Sequence, residues 1–302
     1  MAINLSNPRT LLFVPGNQPR MLEKSAGFSA QWLIPDLEDS VPQAEKTSAR
    51  GIAAEHIPLL AKAGKFLLPR VNSLSSGLAE HDIAAIASKD IIGISIGKIS
   101  TVEDVNTIDQ MLATAEKNAG IPIGQITILP WIETAQGVIN AYEICTASNR
   151  IRWAAFGAED FSADMSISRT VDNTEPVSGI GAEPGLAYPR SAVAVAARAA
   201  GVHALDTPYT RFRDAAGLKQ EATLAKAIGY KGKLSIHPAQ VETIESIFKP
   251  SSSEIERAKR VLDVASEAET AGRGSASLDG EMIDMPVILR ARNVLRDAGL
   301  EN

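Results

Sequence analysis

A single cysteine, Cys145, stands among the 302 residues, so no disulfide closes within the chain and no cysteine cluster binds zinc or iron. Its setting in A-Y-E-I-C-T-A reads as a buried helix position. Histidine is scarce as well: His56, His81, His203 and His237 are scattered, without the H-E-x-x-H spacing of a helical zinc site. No apolar run approaches the roughly 18 residues that cross a bilayer. Residues 1–15 also lack a basic region followed by a long apolar stretch, so the expected setting is the cytoplasm. Basic blocks are missing too, with 30 Lys and Arg set against 36 Asp and Glu for a formal charge of -6. A protein held to nucleic-acid phosphates is not expected from that balance. There is no G-x-G-x-x-G after a strand, no G-x-x-x-x-G-K-[ST] and no G-x-S-x-G. Those absences argue against the usual dinucleotide enzymes, nucleotide hydrolases and serine hydrolases.

What is present is an alternation of short apolar runs with longer helical patterns. Length alone fits either about two domains or one α/β barrel of roughly 250 residues. Eight strand candidates follow one another: 10–15, 31–37, 65–72, 91–98, 125–132, 152–157, 203–207 and 233–237. Crossover helices fit between them at 44–63, 101–119, 135–147, 191–200 and 214–228. Apolar strands separated by helices mark a parallel sheet covered on its outer face, and eight units point to a closed (β/α)8 TIM barrel. Several strands carry Pro or Gly near their C-terminal end (Pro35, Pro69, Gly97, Pro130, Gly157), as expected where pairing stops. Polar residues follow: Asp36 to Asp39, Arg70 and Asn72, Lys98, Glu133 and Asp160. In a barrel these gather at the rim that carries the active site.

After 250 the pattern changes. S-S-S-E at 251–254 reads as a helix cap, opening an amphipathic helix over 255–271. The glycine- and serine-rich stretch 272–280 reads as a hinge, leaving a C-terminal helical lid that packs on a neighbouring subunit. The expected division is a catalytic barrel over 1–250 and a helical extension over 251–302.

Glu133 and Asp160 each follow an apolar strand and precede a helix. Carboxylates at successive strand mouths suit a hard divalent cation such as Mg2+, although Glu133 reads equally as a surface carboxylate capping the next helix. Arg70, inside an apolar strand, requires a carboxylate partner in Asp36, Glu38 or Asp39, a bound oxyanion, or both. Arg20 and Lys24, one helical turn apart after V-P-G-N-Q-P, form a weak phosphate signal.

Seven segments in order resemble the citrate lyase β-subunit-like family of the HpcH/HpaI aldolase superfamily, related to malyl-CoA and citramalyl-CoA lyases. They are R-T-L-L-F-V-P-G-N from Arg9, P-D-L-E-D-S-V from Pro35 with Lys46 and Arg50 downstream, P-R-V-N from Pro69, I-L-P-W-I-E-T-A from Ile128, F-G-A-E-D from Phe156, I-H-P-A-Q from Ile236 and D-G-E-M-I-D-M-P from Asp279. The resemblance implies Glu133 and Asp160 as Mg2+ ligands and Arg70 as the arginine on the carbonyl oxygen that becomes an enolate. It implies Asp284 as an acid or base delivered from a neighbouring subunit, and Arg20 and Lys24 in the segment that meets coenzyme A phosphates. A homotrimer or homohexamer is implied as well. The implied reaction is Mg-dependent cleavage, or formation, of a 3-hydroxy acyl-CoA thioester such as malyl-CoA or citramalyl-CoA, giving acyl-CoA and a 2-oxo acid. Alternatives are a metal-dependent aldolase of small 2-oxo acids without coenzyme A, or a citrate lyase β subunit acting on a citryl thioester of an acyl-carrier partner. A non-catalytic barrel is disfavoured by the presence of all four charged residues. Two features set the chain apart: I-G-K at 96–98 where the family has L-P-K, and the turn-rich segment 161–190, expected over the metal.

Overall fold

A computed structural model describes residues 8–167, 184–272 and 274–300. Its strands are β1 (Thr10–Pro15), β2 (Trp32–Asp36), β3 (Phe66–Leu67), β4 (Arg70–Val71), β5 (Gly93–Ile96), β6 (Thr127–Ile132), β7 (Trp153–Phe156), β8 (His203–Asp206) and β9 (Gly232–Ser235). All pair in parallel, and β1 bonds both β2 and β9, which closes the sheet on itself. β3 and β4 share one barrel position, since β2 pairs with both in turn. The expected single strand 65–72 is split because Pro69 has no N–H to give to the ladder. With that position counted once, the (β/α)8 barrel is present. Pro130 stands opposite Ile96 in the last β5–β6 pair, as expected, whereas Pro35 pairs with Val14 one position before the β1–β2 register ends. Alternate residues of a parallel strand bond to opposite neighbours, so each proline removes a bond on one side only.

Strand alternation sorts the apolar residues into two layers. Leu11, Trp32, Ile34, Leu129, Trp131, Trp153 and Leu234 form one cluster, in which Trp32 meets Trp153 edge-on at 5.5 Å. Intervening residues such as Leu12, Val14, Leu33, Ile94 and Ile128 pack with helix residues in a second cluster. This places the aromatic layer inside the barrel and the aliphatic layer under the helices.

The helices are α1 (Pro19–Ser25), α2 (Lys46–Lys62), α3 (Ala79–Ile86), α4 (Val102–Ala119), α5 (Ala135–Ile139), α6 (Ala141–Thr146), α7 (Ala158–Asp164), α8 (Pro184–Ala199), α9 (Ala215–Ala227) and α10 (Val241–Phe248). Thr101 and Asp104 cap α4 reciprocally, which fixes its start. The helix expected over 135–147 is broken at Asn140, whose side chain donates to the Ser100 carbonyl at 2.9 Å. The part of the 161–190 segment running over 168–183 lies outside the described residues.

Beneath α8 and α9 sits a buried charge cluster. Arg190 grips Asp206 with two bonds of 2.8 and 2.5 Å, and Lys233, fully buried, donates to Asp206 at 2.6 Å and also to Glu221. Arg190 and Lys233 hold the Asp206 carboxyl below its ordinary range against the opposing effect of burial. Its stabilisation is therefore present at neutral pH and lost as pH falls through that lowered value. Asp206→Asn leaves two cations short of a partner, so unfolding free energy should fall by about 3–5 kcal/mol. Urea denaturation measures this; a change within 1 kcal/mol, roughly the size of an exposed pair, would contradict it.

Contacts divide the chain into compact units 1–245 and 246–302. In the second, Ser251 and Glu254 form the expected capping box on α11 (Ser252–Thr270). The stretch expected as a hinge is different: β10 (Ala276–Leu278) and β11 (Glu281–Ile283) form an antiparallel hairpin turning at Asp279 and Gly280, both at positive φ. Asp-Gly is the dipeptide such a two-residue turn favours. The hairpin packs on α11 and α12 (Met285–Asp297) through Val261, Leu278, Ile283 and Leu295. Arg260 adds an ion pair to Asp279 at 2.7 Å. No helix among the described residues is long and apolar enough to cross a membrane.

Candidate active site

The site begins with a turn at the end of β2. Asp36 accepts from the amides of Glu38 at 2.9 Å and Ser40 at 3.1 Å, folding the chain back on itself. Lys46 donates to the carbonyls of Leu37 and Glu38 at 2.8 and 2.6 Å, and Asn72 donates to that of Leu37 at 2.9 Å. Three side chains thereby fix the backbone that aims Glu38 at the barrel mouth.

Arg70 starts β4 directly beside Asp36 in register. Its Nε and Nη2 each donate to Asp36 at 2.7 Å, and Nη1 donates to Asp39 at 2.8 Å and lies 3.3 Å from Glu38. Below it lie the rings of Phe13 and Trp131, 4.8 and 5.9 Å from the guanidinium carbon. The carboxylate partners read from the sequence are thus all in place. Asp36 is buried with its carboxyl held low by Arg70, whereas the Asp39 side chain is 59% exposed. Asp39 is the partner that an incoming oxyanion can replace.

Glu133 is not a helix cap. Thr134 caps α5, and Glu133 is 4% exposed, with Oε1 accepting from the Lys98 amide at 2.7 Å. Burial, reinforced by Asp160 and Glu38, pushes its carboxyl up to about 8. Two glycines make room for it: a Cβ at Gly157 would lie 2.1 Å from its Oε2, and one at Gly97 would lie 2.6 Å from its Oε1. Asp160 lies in the first turn of α7 and reaches the same mouth, where its Oδ1 is 3.5 Å from the Lys98 ammonium. Lys98 also donates to Glu38 at 3.1 Å.

Of these groups, Asp36, Asp39, Arg70, Glu133 and Asp160 line a cavity of about 410 Å³, together with Phe13, Trp131, Gly157, Thr207 and Ile236, among others. Among the described residues no cluster of three or more His, Cys, Asp or Glu side chains is shaped to hold a metal. Glu133 and Asp160 instead offer two hard oxygen donors in a pocket with excess negative charge, the arrangement by which Mg2+ is held when waters and substrate complete its shell. Arg20 and Lys24 are exposed on α1 and do not line the cavity. Asp284 belongs to the second unit, where it caps α12 by accepting from the Val287 amide at 3.3 Å.

From the sequence, Glu38 stands on the rim only as a candidate partner of Arg70, and Lys98 stands there without a task. The signals were P-D-L-E-D, which puts a second carboxylate two residues after Asp36, and G-K, a lysine directly after a glycine at a strand end.

The model of the HpcH/HpaI aldolase/citrate lyase family matches residues 9–238, a span containing the whole of this site. The chain belongs to that family. As a member it is a carbon–carbon lyase. The citrate lyase β subunit of Leuconostoc mesenteroides subsp. cremoris is 36% identical over 288 residues, covering 95% of this chain and 92% of the relative. The (3S)-malyl-CoA thioesterase of Cereibacter sphaeroides ATCC 17029 is 31% identical over 96% of this chain and 94% of its own length. Among solved structures, the protein CitE of Mycobacterium tuberculosis, in complex with magnesium, acetoacetate and coenzyme A, superposes with a TM-score of 0.76 at 27% identity, covering 97% of this chain and 98% of the other.

Proposed function

We propose that this lyase cleaves the citryl thioester of an acyl carrier or of coenzyme A into oxaloacetate and an acetyl thioester. The observation that carries the reading is that Arg70, the buried Glu133 and Asp160 line one cavity in a chain similar to a citrate lyase β subunit over nearly its full length. Malyl-CoA and citramalyl-CoA, which the sequence placed first, become the second reading, favoured by the similarity to malyl-CoA thioesterase.

Glu133 and Asp160 are the residues that would hold Mg2+, which supplies Lewis acidity toward a substrate carboxylate and hydroxyl. Cleavage breaks the bond between the hydroxyl-bearing carbon and the thioester α-carbon. The hydroxyl proton passes to water and its oxygen becomes the oxo group. The bond's electron pair passes onto the thioester as an enolate, and the enolate carbon takes up one proton to give the acetyl thioester. Arg70 meets the charge on the enolate oxygen, exchanging its Asp39 bond for that oxygen while Asp36 keeps the guanidinium plane fixed. A donor aimed at developing charge contributes to rate because it meets that charge mainly in the transition state. Phe13 and Trp131 keep water from this side of the cavity. Arg20 and Lys24 are assigned to the phosphates of the thioester carrier. A homotrimer or homohexamer in the cytoplasm completes the reading.

The deciding assay supplies citryl-CoA, malyl-CoA and citramalyl-CoA with Mg2+ and measures release of the 2-oxo acid. Oxaloacetate from citryl-CoA is expected; cleavage of malyl-CoA alone would replace the first reading by the second, and cleavage of none, with the citryl thioester of an acyl carrier also left intact, would reject both.

Asp284 is assigned, on the family resemblance, to protonating the enolate carbon in a neighbouring subunit. Mixing inactive Asp284→Ala with inactive Glu133→Gln protomers should then restore some activity, because mixed assemblies contain sites with both residues intact. No recovery after verified subunit exchange would defeat the assignment.

A further inference from the structure

Lys98 adopts a left-handed backbone conformation, φ 60°, which costs a lysine energy. Its surroundings account for it. The Lys98 amide donates to Glu133, while its ammonium lies 3.1 Å from Oε1 of Glu38 and 3.5 Å from Oδ1 of Asp160. One residue therefore addresses three carboxylates, two of which are the assigned metal ligands. Gly97 makes the approach possible, since a Cβ there would fall 2.6 Å from Glu133 and 3.4 Å from Glu38.

The two arms of the ammonium are unequal. Glu38 is hydrogen-bonded, with a side chain only 8% exposed; Asp160 is a longer ion pair with a side chain 38% exposed. A cation entering from the cavity meets Asp160 first and displaces the weaker arm.

We propose that Lys98 is a tethered cation that bridges Glu38 and Asp160 in the metal-free enzyme, then releases Asp160 and keeps Glu38 when the divalent ion binds. The inference rests on the assignment of Glu133 and Asp160 to Mg2+. Without a cation, Glu38 and Asp160 face each other across the mouth, and the ammonium between them offsets their repulsion. With Mg2+ present, the same ammonium competes for Asp160 and lowers the local negative potential, so it weakens metal binding while keeping the empty site in shape. Lys98 is thus a positioning residue acting through the carboxylates. A residue that merely supported the fold would lower metal affinity when removed, whereas a competing cation raises it.

The test is calorimetric titration of Mg2+ into the full-length protein, with thermal melts without Mg2+ and at saturation. Lys98→Asn deletes the charge with a residue that tolerates left-handed backbone, and should bind Mg2+ about tenfold more tightly than wild type. It should also melt lower than wild type without Mg2+, with the deficit closing at saturation. Lys98→Arg, which keeps the charge, should stay within about threefold of wild type. A folded Lys98→Asn that binds Mg2+ no more tightly than wild type overturns this inference alone. A wild-type protein that binds no Mg2+ overturns the metal assignment and this inference with it. Should Lys98→Asn not fold, acylation of wild-type Lys98 by an amine reagent, read by peptide mass spectrometry, decides the matter. Faster labelling with Mg2+ supports release of the ammonium; equal or slower labelling overturns it.

Discussion

Arg70→Lys should lower kcat/KM by about a hundredfold to a thousandfold, the range typical of removing a directed donor from a developing oxyanion. The substituted ammonium keeps one positive charge but cannot hold Asp36 with two parallel bonds while reaching Asp39, as the guanidinium does. Its position would then follow whichever carboxylate it chose, and no donor would face the thioester oxygen. From the sequence, this substitution is expected to impair turnover much more than folding. The structure revises that expectation, because Asp36 is 1% exposed and depends on Arg70 for its charge balance. A loss of about 1–3 kcal/mol in unfolding free energy should accompany the loss of turnover, and Arg70→Ala should lose about 3–5 kcal/mol because it strands a buried carboxylate. Steady-state kinetics and urea denaturation on the same preparations separate the two effects. Wild-type turnover in Arg70→Lys would reduce Arg70 to a structural ion-pair residue.

Gly157→Ala should weaken Mg2+ binding by more than about tenfold and turnover by about a hundredfold, because small misplacements of catalytic groups are expensive. The added methyl would lie 2.1 Å from Oε2 and 2.6 Å from Cβ of Glu133, so the whole side chain must move, not only its end. Backbone strain plays no part, since φ -108° and ψ 96° at Gly157 suit an L-residue. Gly51→Ala is the matched control: it lies in α2 with nothing within 4 Å of the new methyl, and should stabilise the protein by up to about 1 kcal/mol. Calorimetry with Mg2+ and the thioester assay read both variants. Normal Mg2+ affinity in Gly157→Ala would show that Glu133 does not need its observed place to bind the ion.

The strand positions were legible because barrel strands covered on both faces are mostly apolar, with polar residues gathered toward their C-terminal ends, where Asp36 and Arg70 still pair in register. That pattern alone places Asp36, Arg70, Glu133 and Asp160 at one rim. It failed at residues 272–280, where glycine and serine suggested a hinge while the Asp279-Gly280 turn and the apolar Leu278 and Ile283 form a hairpin. Composition over a window outweighed a two-residue signal there, and the two-residue signal was the physical one.

By itself the sequence determined the closed parallel barrel, the capped helix α11, the rim residues and, through ordered motifs, the family. Each of these is written in local periodicity or in fixed spacing along the chain. Only the tertiary structure decided which rim residues meet. Asp36 rather than solvent holds Arg70, Glu133 sinks into a pocket instead of capping a helix, and Lys98 turns its ammonium toward Glu38 and Asp160. Those partners lie 34, 60 and 62 residues apart in sequence, and the repeating pattern that places each at a strand end contains nothing about which neighbour its side chain faces. Closure of the barrel supplies that information, because it brings the ends of β1, β2, β4 and β6 and the start of α7 around one cavity, with the end of β5 alongside, where burial and charge select the pairs.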